Sequence, residues 1–214
     1  MKNLNAVYIL FAILFISLKL VFPDTPFTVP VKVVPALTLA CALYLVKGMT
    51  PFHRAAMVFG AVFCAAGDAI LDIDRVGLFV PGLVAFLLGH IAFACYFALN
   101  RDKKTTRMRL VPLFLILPVT IGIMIFPGLG SLTVPVMAYL IIISLMTVLA
   151  ILSTVNAMAV AGSVIFVVSD AMIALAKFVF DGQPGIYLSL PAYFLGLYLL
   201  GFGVIREYRG KSHS

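Results

Sequence analysis

Two aspartates, Asp68 and Asp170, sit in matched frames deep inside apolar segments. The frames read Gly60-Ala-Val-Phe-Cys-Ala-Ala-Gly67-Asp68-Ala69 and Gly162-Ser-Val-Ile-Phe-Val-Val-Ser169-Asp170-Ala171. Each runs glycine, an apolar stretch, a small residue, then Asp-Ala. An ionisable side chain at the centre of a membrane helix costs ~2.5–3.5 kcal/mol on insertion scales, so a matched pair calls for a compensating role. Two carboxyl groups facing one low-dielectric pocket resist ionising together. One then serves as a proton donor, and the other as a base that orients water or stabilises a cation. The chain contains no Gly-x-Ser-x-Gly, no His-Glu-x-x-His and no Ser-His-Asp frame, which leaves serine and zincin-type hydrolysis poorly supported.

Other polar side chains converge on the same level. Asp72 lies one turn above Asp68 on one helix face, and Lys177 two turns above Asp170 on another. Lys32, His90, Tyr139 and Tyr193 enter from the outer ends of four further segments. The expected arrangement is a polar pocket opening outward, with Asp68 and Asp170 as the catalytic pair. Lys32, Asp72, His90, Tyr139, Ser169, Lys177 and Tyr193 are its candidate binding residues, and the lysines suit a phosphate. Plainer readings stand beside these: snorkelling lysines, a hydrogen-bonded core histidine, and tyrosines of an interfacial belt.

The elements that must position these groups follow from composition. With 64% hydrophobic and 11% charged residues and a mean hydropathy of +1.19, the chain is not a soluble globular protein. Its apolar runs have the length of membrane helices rather than of alternating strands, so a barrel is excluded. Eight runs are expected to span: 4–22, 28–46, 54–71, 78–99, 108–126, 132–152, 156–180 and 185–205. They leave no room for a soluble domain, so residues 1–214 form one all-α transmembrane bundle. Lys2 precedes the first run, but no small-x-small cleavage site follows it, so it reads as a helix rather than a signal peptide.

Of the 15 Lys and Arg residues, only Lys19, Lys32, Arg75 and Lys177 fall at the ends opposite the N-terminus. The positive-inside rule therefore puts both termini in the cytoplasm. The net charge of +7 is a topology signal and an attraction to anionic lipid, not a nucleic-acid footprint. Cys41, Cys64 and Cys95 all lie in apolar runs without metal spacing, and read as packing.

The aspartate frames belong to a wider similarity. Ala85-Phe86-Leu87-Leu88-Gly89-His90 recurs as Ala192-Tyr193-Phe194-Leu195-Gly196-Leu197. The displacement spans four helices, so matched helices cross in the same direction, and a 4+4 duplication over 1–100 and 108–207 is expected. Counted from Arg54 and Asn156, both carboxylates lie at one depth, roughly 21 Å from the inner face at 1.5 Å per residue.

Lys32 with Pro35, Gly67-Asp68, Phe86-x-x-Gly89-His90 with Tyr96, Tyr139 with Met146, and Gly162-x-x-x-Phe166-x-x-Ser169-Asp170 with Lys177-Phe178 together resemble the YhhN family, which includes the eukaryotic lysoplasmalogenases. The resemblance covers nearly the whole chain. It implies hydrolysis of the vinyl ether of a lysoplasmalogen to a fatty aldehyde and a glycerophospho-alcohol, with no cofactor or metal. The expected partners are a lysophospholipid substrate and membrane lipids. The expected location is a multi-pass membrane protein, of the inner membrane if the source is bacterial. Head group, chain length and oligomeric state stay open. A proton-coupled transporter and a non-enzymatic lipid-binding protein remain as alternatives, whereas the seven-residue spacing of Asp170 and Lys177 disfavours a retinal protein.

Overall fold

The computed structural model describes residues 2–22, 28–102, 104–180 and 185–211. Eight helices follow one another: α1 Lys2–Val21, α2 Val29–Tyr44, α3 Pro51–Ile73, α4 Phe79–Leu99, α5 Leu110–Ile125, α6 Thr133–Ile151, α7 Ala157–Phe178 and α8 Gly185–Lys211. Seven of the spans are long and apolar enough to cross a membrane. The exception is α2, whose 16 residues reach only ~24 Å against a hydrocarbon core of ~30 Å; α5 is no longer as an α-helix, but 3₁₀ turns at both ends extend its span to Thr106–Gly128. It packs against α1, α3 and α8, and turns Leu37 and its last residue, Tyr44, outward.

Local chemistry sets the helix starts. Thr50 caps α3 by accepting from the His53 N–H at 3.3 Å, and Pro51 occupies the first turn, where no N–H is needed. The helix thus begins three residues before Arg54, so depth counted from Arg54 understates how far Asp68 lies along α3. Asn156 caps α7 by accepting from the Ala159 N–H at 3.0 Å, and its amide also donates to the Gly203 carbonyl of α8 at 2.5 Å. At the same end, the Asp102 N–H donates to the Leu152 carbonyl and the Thr154 N–H to the Asn100 carbonyl, each at 2.8 Å. Those bonds tie the α4–α5 connection to the α6–α7 connection.

Two helix pairs pack at backbone distance, which in lipid requires small residues at the crossing. A Cβ on Gly162 of α7 would lie 2.2 Å from the Leu200 nitrogen of α8. The pairs also pack alike at the matched sequence positions. A Cβ on Gly89 of α4 would stand 3.0 Å from the Gly60 carbonyl oxygen of α3, and one on Gly196 of α8 would stand 3.1 Å from that of Gly162. These close crossings fix α3 against α4 and α7 against α8, and so fix the two helices that carry the aspartates. By contrast, α5 turns much of its surface to lipid, with Leu113 68% and Ile123 70% exposed.

Candidate functional site

Asp68 and Asp170 open on one cavity of about 360 Å³, within the size range of small-molecule sites. Its polar part is built by Lys32, Asp68, Tyr139, Asp170 and Tyr193, and its apolar wall includes Leu71, Leu83, Phe86, Val136, Ile173 and Leu190. Arg75, Val76, Lys177 and Phe178 line it where α3 and α7 end. One space therefore joins a basic rim, an apolar wall and a pair of carboxyls.

The two carboxyls have different partners. Asp68 is buried, at 1% exposure. Its Oδ1 lies 3.4 Å from the Lys32 Nζ, and its Oδ2 accepts from the Tyr193 hydroxyl at 2.5 Å. Asp170 is half-buried, and its Oδ2 accepts from the Tyr139 hydroxyl. Among the described residues, then, an ammonium and a phenol serve Asp68, and a phenol serves Asp170. Both phenols are held edge-on by aromatic neighbours: Tyr193 by Phe166 and Phe86, at 5.3 and 6.0 Å between centroids, and Tyr139 by His90 at 5.4 Å. Such packing fixes ring direction, and through it the hydroxyl.

Six of the nine residues singled out from the sequence meet in the cavity: Lys32, Asp68, Tyr139, Asp170, Lys177 and Tyr193. The other three stand outside its lining. The Asp72 carboxyl is engaged elsewhere, with Oδ1 3.0 Å from the Lys19 Nζ and Oδ2 accepting from the Thr28 hydroxyl at 2.7 Å. It braces α1 and the start of α2 against α3. Ser169 is buried and donates to the carbonyl of Ser189, a residue of the cavity lining, at 3.0 Å, joining α7 to α8. His90 is fully buried between Tyr139 and Phe166, its ring 4.8 Å from the latter.

Lys32 is placed differently from a head-group cation. It is 4% exposed and sits beside Asp68, so the outer basic groups of the cavity are Lys177 and Arg75. The Lys177 Nζ lies 4.4 Å from the centroid of the Phe79 ring, a cation–π contact that holds it at the rim. Arg75 follows Asp72 by one turn, which was the available signal for it, but it stands in the connecting segment after α3. Among the described residues, no group of three or more His, Cys, Asp or Glu side chains has metal-ligand spacing.

The chain is 31% identical over 138 residues to a lysoplasmalogenase of Mycobacterium bovis, a stretch that is 61% of this chain and 53% of that protein. A lysoplasmalogenase of Mycobacterium tuberculosis matches over the same length and identity. Lysoplasmalogenase TMEM86A of Bos taurus is 31% identical over 158 residues, 69% of this chain and 64% of that protein. The chain thus spans about half the length of the mycobacterial relatives it matches. No solved structure matches it. The YhhN family profile matches residues 27–204, a stretch that holds every side chain lining the cavity, and the chain belongs to the YhhN family.

Proposed function

We propose that this protein is a membrane hydrolase that cleaves the vinyl ether of a lysoplasmalogen, releasing a fatty aldehyde and a glycerophospho-alcohol. The observation that carries this reading is the unequal partnering of two carboxyls on one amphipathic cavity. A carboxyl without a counter-cation suits the transfer of a proton, and one beside an ammonium suits a base. Asp170 therefore delivers a proton to the β-carbon of the alkenyl group. The resulting oxocarbenium ion is stabilised by the Asp68 carboxylate. Asp68 takes a proton from the water that attacks the α-carbon, then hands it to the glyceryl oxygen as the hemiacetal collapses. The hemiacetal hydroxyl proton returns to Asp170, and both groups are reset.

Lys177 and Arg75 hold the phosphate at the rim, with Lys32 setting the charge of Asp68. The alkenyl chain lies along Leu71, Leu83 and Phe86. The names of the mycobacterial and bovine relatives support the substrate class. Transport is the weaker reading because α3 and α7 run unbroken through Asp68 and Asp170, whereas carrier sites are typically built on interrupted helices. The like packing of Gly60 with Gly89 and of Gly162 with Gly196 supports a 4+4 duplication. The basic-residue distribution supports cytoplasmic termini and a cavity rim on the outer side.

The test uses purified protein, an alkenyl-lysophospholipid and deuterium oxide. The parent protein is expected to yield aldehyde carrying one deuterium beside the carbonyl. Asp170→Asn should cut aldehyde release by roughly 10²–10⁴-fold and leave recovered substrate unlabelled. Asp68→Asn should also lose turnover, but should still protonate carbon reversibly, so recovered substrate gains vinylic deuterium. Parental aldehyde release in both variants sinks the reading, and exchange in Asp170→Asn alone reverses the two roles.

A further inference from the structure

We infer that Lys32 is a covalent aldehyde-binding residue, forming a reversible imine with long-chain aldehydes in the cavity. This rests on the hydrolase reading for the source of the aldehyde, though not for the chemistry of the amine. A lysine on a cavity wall reacts with carbonyl compounds when its amine is desolvated and a neighbouring group can shuttle its proton. Lys32 meets both conditions. It is 4% exposed, it faces the cavity, and its Nζ is 3.4 Å from the Asp68 Oδ1. That separation exceeds the ~2.7–2.9 Å of a tight charge-assisted hydrogen bond, and the nearest ring the amine packs over, Phe15, is 5.6 Å away at its centroid, so neither contact holds the nitrogen tightly. The other Asp68 oxygen stays held by Tyr193 at 2.5 Å. In the proposed hydrolysis the carbonyl carbon forms beside Asp68, and hence beside this amine.

The step balances in protons and charge. The Lys32 ammonium gives a proton to the Asp68 carboxylate, and the neutral amine attacks the aldehyde carbon, forming the C–N bond. A proton passes from nitrogen to oxygen, giving a carbinolamine. Asp68 returns its proton to the carbinolamine hydroxyl, which leaves as water while the nitrogen lone pair forms the C=N bond. A protonated imine then stands beside the Asp68 carboxylate. One positive and one negative charge are buried before and after, so the exchange adds no uncompensated buried charge. The alkyl chain occupies the apolar wall that held it before hydrolysis. Lys177 is less suited, because it is only half-buried and packs more closely over a ring, 4.4 Å from the Phe79 centroid against 5.6 Å for Lys32 from that of Phe15, where the phosphate is expected.

The experiment incubates the purified full chain with hexadecanal, reduces with sodium cyanoborohydride, and maps alkylated lysines by peptide mass spectrometry. Lys32 is expected to carry the adduct with about tenfold higher occupancy than any other lysine. A saturated ether lysophospholipid, which cannot be cleaved, should suppress labelling at Lys32 and leave Lys47 and Lys211 unchanged. Lys32→Arg should lose the labelling that Lys177→Arg keeps, with equal melting temperatures confirming that the variants are folded. Adducts spread evenly over exposed lysines, or concentrated at Lys177, overturn the inference, as does Lys32 labelling that the ether lipid does not block. The two readings fail separately. Vinyl ether turnover without a Lys32 adduct removes the imine alone, and a Lys32 adduct from free aldehyde without vinyl ether turnover removes the hydrolase alone.

Discussion

Lys32→Met isolates the role of the buried ion pair. The lysine and aspartate side chains are 4% and 2% exposed, and the variant leaves Asp68 with the Tyr193 hydroxyl alone. Removing one partner of a buried pair costs roughly 3–5 kcal/mol, because the remaining charge is uncompensated. Asp68 retains a hydrogen bond and can be neutralised by a proton, so the lower end, about 3 kcal/mol, applies. In a chain of this size that corresponds to a fall of roughly 6–12 °C in Tm. The chain has no tryptophan, so helical circular dichroism in a single detergent is the suitable probe. Adding Asp68→Asn to Lys32→Met removes the orphaned charge and should restore more than half of the lost stability, while aldehyde release is lost as in Asp68→Asn. A single variant that melts with the parent, or a double variant no more stable than the single, would refute the claim that Lys32 compensates Asp68.

Tyr139→Phe removes the donor to Asp170, a hydrogen bond worth roughly 1.5–3 kcal/mol if charge-assisted, and should lower kcat about 10- to 150-fold with little change in Tm. Lys177→Met with Arg75→Gln should raise KM for a phosphate-bearing substrate and leave kcat nearly unchanged, the signature of lost uniform binding; a fall confined to kcat would move both residues away from the rim role. Gly162→Ala places a Cβ 2.2 Å from the Leu200 nitrogen and should cost at least about 3 kcal/mol or abolish folded yield, whereas Gly210→Ala, with no neighbour within 4 Å, should melt with the parent.

The cost of charge in lipid made the centre of the site legible from sequence. Asp68 and Asp170 stand out in apolar runs, and the polar residues sharing their level, Lys32, Tyr139, Lys177 and Tyr193, prove to line the same cavity. What sequence concealed was rotation about helix axes and long-range pairing. Asp72 shares a face with Asp68 by period, yet Lys19 of α1 and Thr28 engage it, and no local pattern links residues so far apart in the chain. Ser169 looked like a site residue because it precedes Asp170, but adjacent helix positions point about 100° apart, and its hydroxyl reaches α8 instead. The start of α3 was written in Thr50-Pro51, a cap followed by a first-turn proline. Taking Arg54 as the boundary followed charge rather than capping chemistry.

On the proposed duplication, symmetry alone would yield two equal carboxyls and no direction for proton transfer. The preceding helix in each half supplies one partner: Lys32 of α2 to Asp68 of α3, and Tyr139 of α6 to Asp170 of α7. Lys32 and Tyr139 also lie equally far from the ends of their helices at Tyr44 and Ile151. A second difference arises at the matched positions Phe86 and Tyr193, whose rings meet edge-on at 6.0 Å. Tyr193 has a hydroxyl and gives it to Asp68, while a phenylalanine has none to offer Asp170. Lysine against tyrosine and phenylalanine against tyrosine thus account for the unequal surroundings of two carboxyls in near-identical frames. On the proposed mechanism the division between acid and base lies in these partners, which is why the aspartate frames themselves could suggest the pair but not its polarity.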